Sequence, residues 1–439
     1  MPDASGGADP AALAGADPVA LGGPHPSWLT TPPGARWPDA ADDEPNPYVR
    51  WRSLLWSHHR ALAAGWTDDD VVALIRRIDA EVAAVDGTGF HITPTAAATA
   101  LVGPDTPRRI VAKDETGNVG GSHKARHLMG LLLHLAVDAV ADDTRLAISS
   151  CGNAALGAAT VARAAGRPID VFIPTWADRV VVDSLQQLEA TVHVCERRDG
   201  ELGDPCMARF QEAVADGALP FGVQATENRW TLDGGRTIGW ELAAALAGLD
   251  AGPVDHVLVQ VGGGALLTSC AIGLLEAADA GVLERSPRVW AVQAEHCAPF
   301  DRAWRGALGL DSRTATPAAA PGGRHDAAST DALLAAAAAR AGELMVPWPD
   351  PSSAATGILD DVTYDWLGMA RGLLLTGGGS IVAAETDIEA AHGRAVAAGF
   401  GADATGTAGI AGVLAGVRVG ALPADEAVAV LVTGRDRHR

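Results

Sequence analysis

The 439-residue sequence is short of sulfur, of aromatic rings and of positive charge, and each shortage excludes something. Its five cysteines, Cys151, Cys195, Cys206, Cys270 and Cys297, form no C-x-x-C pair and no zinc spacing. An odd count without a framework fits a reducing cytoplasm, which is the expected location. Aromatic residues make up 5% against 48% hydrophobic, so the core has to be built from Ala, Val and Leu. A net charge of −21 argues against nucleic acid and against anionic membrane surfaces as partners. The alanine-rich residues 1–22 are interrupted by Asp3, Asp9 and Asp17 and have no basic start, so no signal peptide is expected. Metal motifs are missing too: His58 and His59 are adjacent and cannot share a helical face, and no H-E-x-x-H occurs.

The length is more than one small domain needs and allows a sizeable core. Pro, Gly, Ala and Asp dominate up to Pro45, which predicts a disordered tail over 1–45. Val72, Ile75 and Ile78 then fall at helical spacing. From Arg109 onward strand-like and helix-like runs alternate. The strand-like runs are Arg145–Ser150, Ile169–Pro174, Thr191–Cys195, Leu219–Gln224, Asp255–Val261 and Arg288–Glu295, with helix-like runs such as Val180–Ala190 and Thr237–Ala247 between them. Alternation of this kind implies an α/β fold of parallel sheets covered by helices on both faces, with ligands outside the strand C-termini. Residues 311–345 stand apart as a flexible insertion, with a short helix possible over Asp331–Gly342. The acidic stretch Asp360–Trp366 is expected to be a solvated helix start rather than a specificity element. Gly377-Gly378-Gly379 precedes a strand and is expected to be a turn.

Four motifs carry chemistry. The first is Lys113 to Arg126, where Gly120-Gly121-Ser122-His123 places Lys124 at the start of an apolar helix. A helix N-terminus among apolar side chains lowers an amine's pKa, which Schiff-base chemistry requires, although a surface lysine at a loop end would look the same. Ser149-Ser150-Cys151-Gly152-Asn153-Ala154 follows a short apolar run and opens an alanine-rich helix. Such a loop offers N–H groups to a carboxylate, or simply an Asn or Ser cap. Val257 to Val261 runs into Gly262-Gly263-Gly264-Ala265, where converging N–H groups and a helix dipole suit a dianion. The G-x-G-x-x-G spacing of a dinucleotide site and the Gly-Lys-Ser/Thr of a P-loop are both absent there. Finally, Ala427 to Val432 is an apolar strand ending in Thr433-Gly434.

In this order the four motifs resemble the fold type II family of pyridoxal-phosphate (PLP) enzymes, which includes threonine synthase, threonine dehydratase, serine racemase, cysteine synthase and the tryptophan synthase β-chain. The resemblance runs from about Thr93 to Thr433 and takes in Thr93-Pro94, Gly235 to Glu241, Val292 to Glu295 and Gly357-Ile358. It implies two doubly wound α/β domains with the cofactor in the cleft between them. A small mobile domain would span 146–228, and a large one 46–145 with 229–439. By the same resemblance, Lys124 would carry PLP as a Schiff base and act as the catalytic base. Asn153 would bond the phenolic oxygen, Gly262, Gly263, Gly264 and Ala265 would cradle the phosphate, and Thr433 would face the pyridine nitrogen. His123 would help bind phosphate, as in tryptophan synthase β-chains, or fill space behind the cofactor. Ser150, Cys151, Gly152 and Ala154 would line the substrate carboxylate pocket.

Three departures from the family pattern bear on the substrate more than on the cofactor. They are Cys151 for Ser or Thr, Ala154 for Thr or His, and Ala265 in the glycine loop. The glutamate motif that tryptophan synthase β-chains use for indole is not found. The implied activity is a lyase or synthase that removes the α-proton of an amino acid and eliminates or replaces a β- or γ-group through an aminoacrylate-type intermediate. An amino-acid racemase and a non-catalytic PLP-binding protein are the alternatives. The expected assembly is a homodimer binding a small-molecule amino acid, with neither nucleic acid nor membrane.

Overall fold

The computed structural model of the chain describes residues 28–103, 109–201, 203–249, 252–310, 318–320 and 323–438. The strands are β1 (Thr95–Ala97), β2 (Ile110–Asp114), β3 (Leu146–Ser149), β4 (Ile169–Pro174), β5 (Thr191–Cys195), β6 (Leu219–Pro220), β7 (His256–Gln260), β8 (Arg288–Ala294), β9 (Ala318–Ala319), β10 (Gly379–Ala383) and β11 (Val428–Val432). They form two sheets. One has seven strands in the order β1-β2-β11-β7-β8-β10-β9, and the other has four in the order β5-β4-β3-β6. All pairings in the smaller sheet are parallel, as are those among β2, β11, β7, β8 and β10; β1 and β9 add antiparallel edges.

The central strands β7 and β11 are buried along their whole length, as expected of parallel strands covered on both faces. Seven of the helices are α1 (Lys124–Val137), α2 (Asn153–Ala164), α3 (Thr231–Ala247), α4 (Ala265–Asp279), α5 (Ala327–Ala338), α6 (Trp366–Thr376) and α7 (Glu385–Ala397). Small residues let several of them approach at backbone distance. A Cβ on Gly234 would fall on the carbonyl oxygen of Arg126 and 2.8 Å from the nitrogen of Gly130, so α1 and α3 cross with no side chain between them. Gly239 and Gly273 make the same kind of crossing between α3 and α4, where a Cβ on either would lie 3.0 Å from the other's Cα. Alanine and glycine take the place of large side chains at these crossings, in keeping with the aromatic-poor composition.

Several expectations need correction. Of the tail predicted over 1–45, residues 1–27 lie outside the described residues, and the remainder, though largely exposed, is anchored at a few points. Leu29 is buried, Thr31 Oγ1 donates to Glu276 at 3.1 Å, and Trp56 Nε1 donates to the Thr30 carbonyl at 2.7 Å. Trp37 stacks edge-on against Trp51, with ring centroids 6.3 Å apart. A few large apolar residues within a Pro- and Asp-rich stretch supply enough burial to order it. In the insertion, residues 311–317 and 321–322 fall outside the description, while β9 pairs with β10 and α5 buries Leu334 and Ala337. Leu219–Gln224 is strand only as far as Pro220; Phe221 N still reaches the Ala147 carbonyl at 2.8 Å before the chain turns away. The glycine run before β10 is a turn, with Gly377 in the left-handed region at φ 70°. Among the described residues no helix is long and apolar enough to cross a membrane.

Candidate active site

The neighbouring strands β2, β11 and β7 deliver three of the four motifs to one end of the larger sheet. Their register sets Val432 beside Asp114, and Glu115 N then bonds to the Val432 carbonyl at 2.8 Å. Beyond β2 the chain turns through Gly120 and Gly121, at φ 65° and 69°, a region L side chains rarely adopt. The turn sets Ser122 in a bridge with Gly434 and makes Lys124 the first residue of α1.

Lys113 and Lys124 are the only lysines in the sequence, a scarcity that could have been read at the outset. Lys113 is fully buried and committed. Its Nζ donates to the Thr93 carbonyl at 2.8 Å, to Thr93 Oγ1 and to the Glu241 carboxylate, and lies 3.4 Å from Glu115. Arg126 completes a balanced cluster, donating to Glu115 at 2.8 Å and to Glu241, with all four side chains out of contact with water. Tyr48 caps the arrangement by donating to the Arg126 carbonyl at 2.6 Å. Lys124 is left as the one lysine whose amine has no protein partner among the described residues. Burial lowers its pKa, while the carboxylates of Asp360 and Asp365 act in the opposite sense.

The glycine loop follows β7. Gly264 stands at φ 106°, and a Cβ there would strike the sulfur of Met369. A Cβ on Gly263 would touch the Tyr364 ring at 3.4 Å, and one on Gly262 would come within 2.5 Å of Asp360 Oδ2. The loop's N–H groups therefore stand at the N-terminus of α4 with side chains packed close around them. Thr268, one turn into that helix, is buried with an unpartnered hydroxyl. His123 is buried with neither ring nitrogen partnered, edge-on to His127 at 5.9 Å. Burial, and then the charges of Lys124 and His127, hold its pKa well below the usual imidazole value. The unpartnered atoms of His123 and Thr268 belong to the residue before the free lysine and to the helix that follows the glycine loop.

The residue after β11 is Thr433, whose hydroxyl accepts from Gln260 Nε2 at 2.7 Å. Gln260 Nε2 also donates to the Gly406 carbonyl at 3.1 Å, which fixes the amide's orientation because a carbonyl only accepts. The Thr433 proton is thus left free to donate. Gln260 was missed from the sequence, although a polar residue in the run Val257-Leu258-Val259-Gln260-Val261 was a visible signal.

The fourth motif lies on the smaller sheet. Ser150, Cys151, Gly152 and Asn153 are half-buried after β3, and Ala154 is buried. Ser150 Oγ accepts from Gly152 N at 3.4 Å, and burial raises the Cys151 thiol pKa. Neither Ser150 nor Asn153 caps α2, since its cap position is Gly152 and makes no side-chain bond. Asn153 approaches the other motifs through Gly434, where a Cβ would lie 3.0 Å from Asn153 Nδ2.

The acidic stretch is not a solvated helix start. Asp365 is 1% exposed, its carboxylate accepting from Ala225 N at 3.1 Å and Thr226 N at 3.0 Å, and its own N–H donates to the Gly263 carbonyl at 2.8 Å. Asp360 makes no side-chain hydrogen bond among the described residues. Burial pushes its pKa up to about 6 against the attraction of Lys124. Tethering to the glycine loop and to the backbone at residues 225–226 outweighs the helix-start preference of these aspartates.

A free amine, a glycine-lined helix N-terminus and several orphaned donors fit a phosphorylated aldehyde held covalently and by its phosphate. Comparisons with known proteins agree. A family model described as pyridoxal-phosphate dependent enzyme matches residues 88–434. A search of curated protein sequences finds no match. Among solved structures, processed threonine deaminase isoform 2 of Solanum lycopersicum aligns with TM-score 0.59 and 16% identity, over 84% of this chain and 86% of that one. Maize serine racemase aligns with TM-score 0.58 and 18% identity, over 83% and 94%. A fungal L-serine ammonia-lyase from Rhizomucor miehei aligns with TM-score 0.58 and 17% identity, over 79% and 94%. At such identities the likeness shows the fold.

Proposed function

The chain belongs to the pyridoxal-phosphate dependent enzyme family, and from that premise we propose that it is a lyase or synthase acting on an amino acid. The reaction would remove the α-proton and eliminate or replace a group at the β- or γ-carbon. When bound, PLP supplies an electron sink for the pair left behind by the proton. The observation that carries the proposal is that Lys124 is the single lysine not consumed by the buried ionic cluster.

In this reading Lys124 holds the cofactor and, once released by substrate, its amine takes the α-proton. The backbone N–H groups of Gly262, Gly263, Gly264 and Ala265 hold the phosphate, with His123 and the free Thr268 hydroxyl beside them. Asn153 Nδ2 donates to the phenolic oxygen. Thr433, its acceptor side occupied by Gln260, would donate a hydrogen bond to the pyridine nitrogen, which would leave that nitrogen unprotonated and weaken the sink. Ser150, Cys151, Gly152 and Ala154 receive the substrate carboxylate. Asp360, whose carboxyl burial keeps protonated up to about pH 6, would give a proton to the departing group. Movement of 146–228 would close the site and exclude water.

A second reading has one specific observation in its favour. A racemase needs a second acid or base, and Asp360, which couples electrostatically to Lys124, supplies a candidate.

Borohydride reduction of the PLP-loaded protein followed by mapping of the modified peptide tests the assignment. The cofactor is expected on Lys124, and Lys124→Ala should lose turnover by several orders of magnitude; near-normal turnover in that variant sinks the mechanism. Serine, threonine, O-acetylserine, O-phosphoserine and O-phosphohomoserine are the substrates to assay. Keto acid with ammonia, or a replaced amino acid, supports the first reading, whereas the inverted enantiomer of an otherwise unchanged substrate supports the second.

A further inference from the structure

The segment after β11 runs from the turn before Lys124 to the helix Arg179–Gln187 beside the smaller sheet. Gly434 bridges Ser122, Arg435 N bonds to the Gly121 carbonyl at 2.9 Å, and Asp436 N bonds to the Gly401 carbonyl at 2.8 Å. His438 Nε2 lies 3.2 Å from the carboxylate of Asp178, the residue that caps the helix Arg179–Gln187. Held between these points, Arg437 is half-buried, and its guanidinium makes three bonds. Nε and one terminal nitrogen donate to Asn153 Oδ1 at 3.0 and 2.7 Å, and the same terminal nitrogen donates to the Gly120 carbonyl at 2.6 Å.

Two N–H donors on one oxygen settle the orientation of the Asn153 amide, since only its Oδ1 can accept. The Nδ2 group then points away from the guanidinium and donates to nothing among the described residues, next to Gly434. A terminal amide held only by its own rotamer would present oxygen as readily as nitrogen. A cation on Oδ1 also polarises the amide and makes Nδ2 a better donor. No side-chain cap competes for Asn153, because the helix it begins is capped by Gly152 without a side-chain bond.

We propose that Arg437 is a positioning residue that fixes the Asn153 amide so that Nδ2 faces the phenolic oxygen of the cofactor. The inference rests on the assignment of Asn153 to that oxygen. In this role Arg437 would make no bond to the cofactor, and its effect would reach the chemistry only through Asn153.

The test is a pH titration of the visible absorption of PLP-loaded wild type, Arg437→Met, Arg437→Lys, Asn153→Ala and the double variant Asn153→Ala/Arg437→Met. A donor on the phenolic oxygen stabilises its anion, so Asn153→Ala should raise the titration midpoint. Arg437→Met should raise it in the same direction by about half a unit, the scale of one weakened hydrogen bond. Arg437→Lys, which keeps a charge and a donor, should recover part of the shift. In the double variant the Arg437 substitution should add nothing. An unmoved midpoint in Arg437→Met beside a clear shift in Asn153→Ala overturns the proposal and leaves Arg437 as a strap. An Arg437 effect that persists without Asn153 overturns it too, by showing direct action on the ligand. If Asn153→Ala itself is silent while borohydride still traps the cofactor on Lys124, the assignment of Asn153 is wrong and the inference falls with it.

Discussion

Lys124 and Asp360 are shifted in opposite directions by the same burial, and each partly restores the charged form of the other. A carboxyl whose folded pKa is raised to about 6, above its ordinary value of 3.8, favours folding while it stays protonated and opposes it once charged. That contribution is fully present below pH 4 and lost as the pH rises through 6. Asp360→Asn should therefore raise stability at pH 8 by on the order of 1–3 kcal/mol and give no gain near pH 4. Denaturant midpoints at the two pH values check this; an equal gain at both would remove titration as the cause. The same variant should lower turnover if the carboxyl serves the leaving group. From sequence, Lys124 was legible because the Gly-Gly-Ser-His context and the following apolar helix are local patterns. Asp360 was not, because nothing in Asp360-Asp361-Val362 says that a glycine loop almost a hundred residues earlier folds against it.

The footing of the reactive lysine is the crossing of α1 and α3. Gly234→Ala would press a methyl group into the Arg126 carbonyl two residues beyond Lys124, and neither backbone can yield. A loss of about 1–3 kcal/mol or more is expected, with weakened PLP binding as α1 is displaced. Thermal unfolding and cofactor titration of the variant would measure both; unchanged values would mean that the crossing is looser than described. The strand run Ile169–Pro174 was legible to the residue, since buried parallel strands are short apolar blocks, and Thr191–Cys195, a mostly exposed edge strand, was legible from its β-branched residues. The start of α3 at Thr231 was not, as Gly234 and Gly235 argue locally against helix and are tolerated only because a neighbouring backbone needs their space.

For the molecule as a whole, the dry cluster of Lys113, Glu115, Arg126 and Glu241 ties β2, α1 and α3 into one block under the site. Glu241→Gln leaves Lys113 and part of Arg126 charged in a water-free interior, and a loss of about 3–5 kcal/mol is expected. Calorimetry would test that, and a loss below 1 kcal/mol would show that water reaches the cluster. Across the cleft, Asp365 holds the amides of Ala225 and Thr226 and thereby joins α6 to the segment that follows the smaller sheet. The alternating strand and helix runs made the α/β class legible over the length of the chain. The anchoring of residues 28–45 was hidden because their composition is that of a linker, and only Trp28, Leu29 and Trp37 hint otherwise.

The helix crossings also restrict how this protein could be made more heat-resistant. Replacing helical glycine with alanine is an ordinary route to a higher melting point, because alanine loses less backbone freedom on folding. At Gly130, Gly234, Gly239 and Gly273 that route is closed by neighbouring backbone. Gly393, within α7, has open space where a Cβ would go and a backbone that alanine can adopt. Gly393→Ala should add about 0.5–1 kcal/mol with turnover unchanged, measurable as a shift of the denaturation midpoint. An engineer working from helix propensity alone would rank all five positions alike.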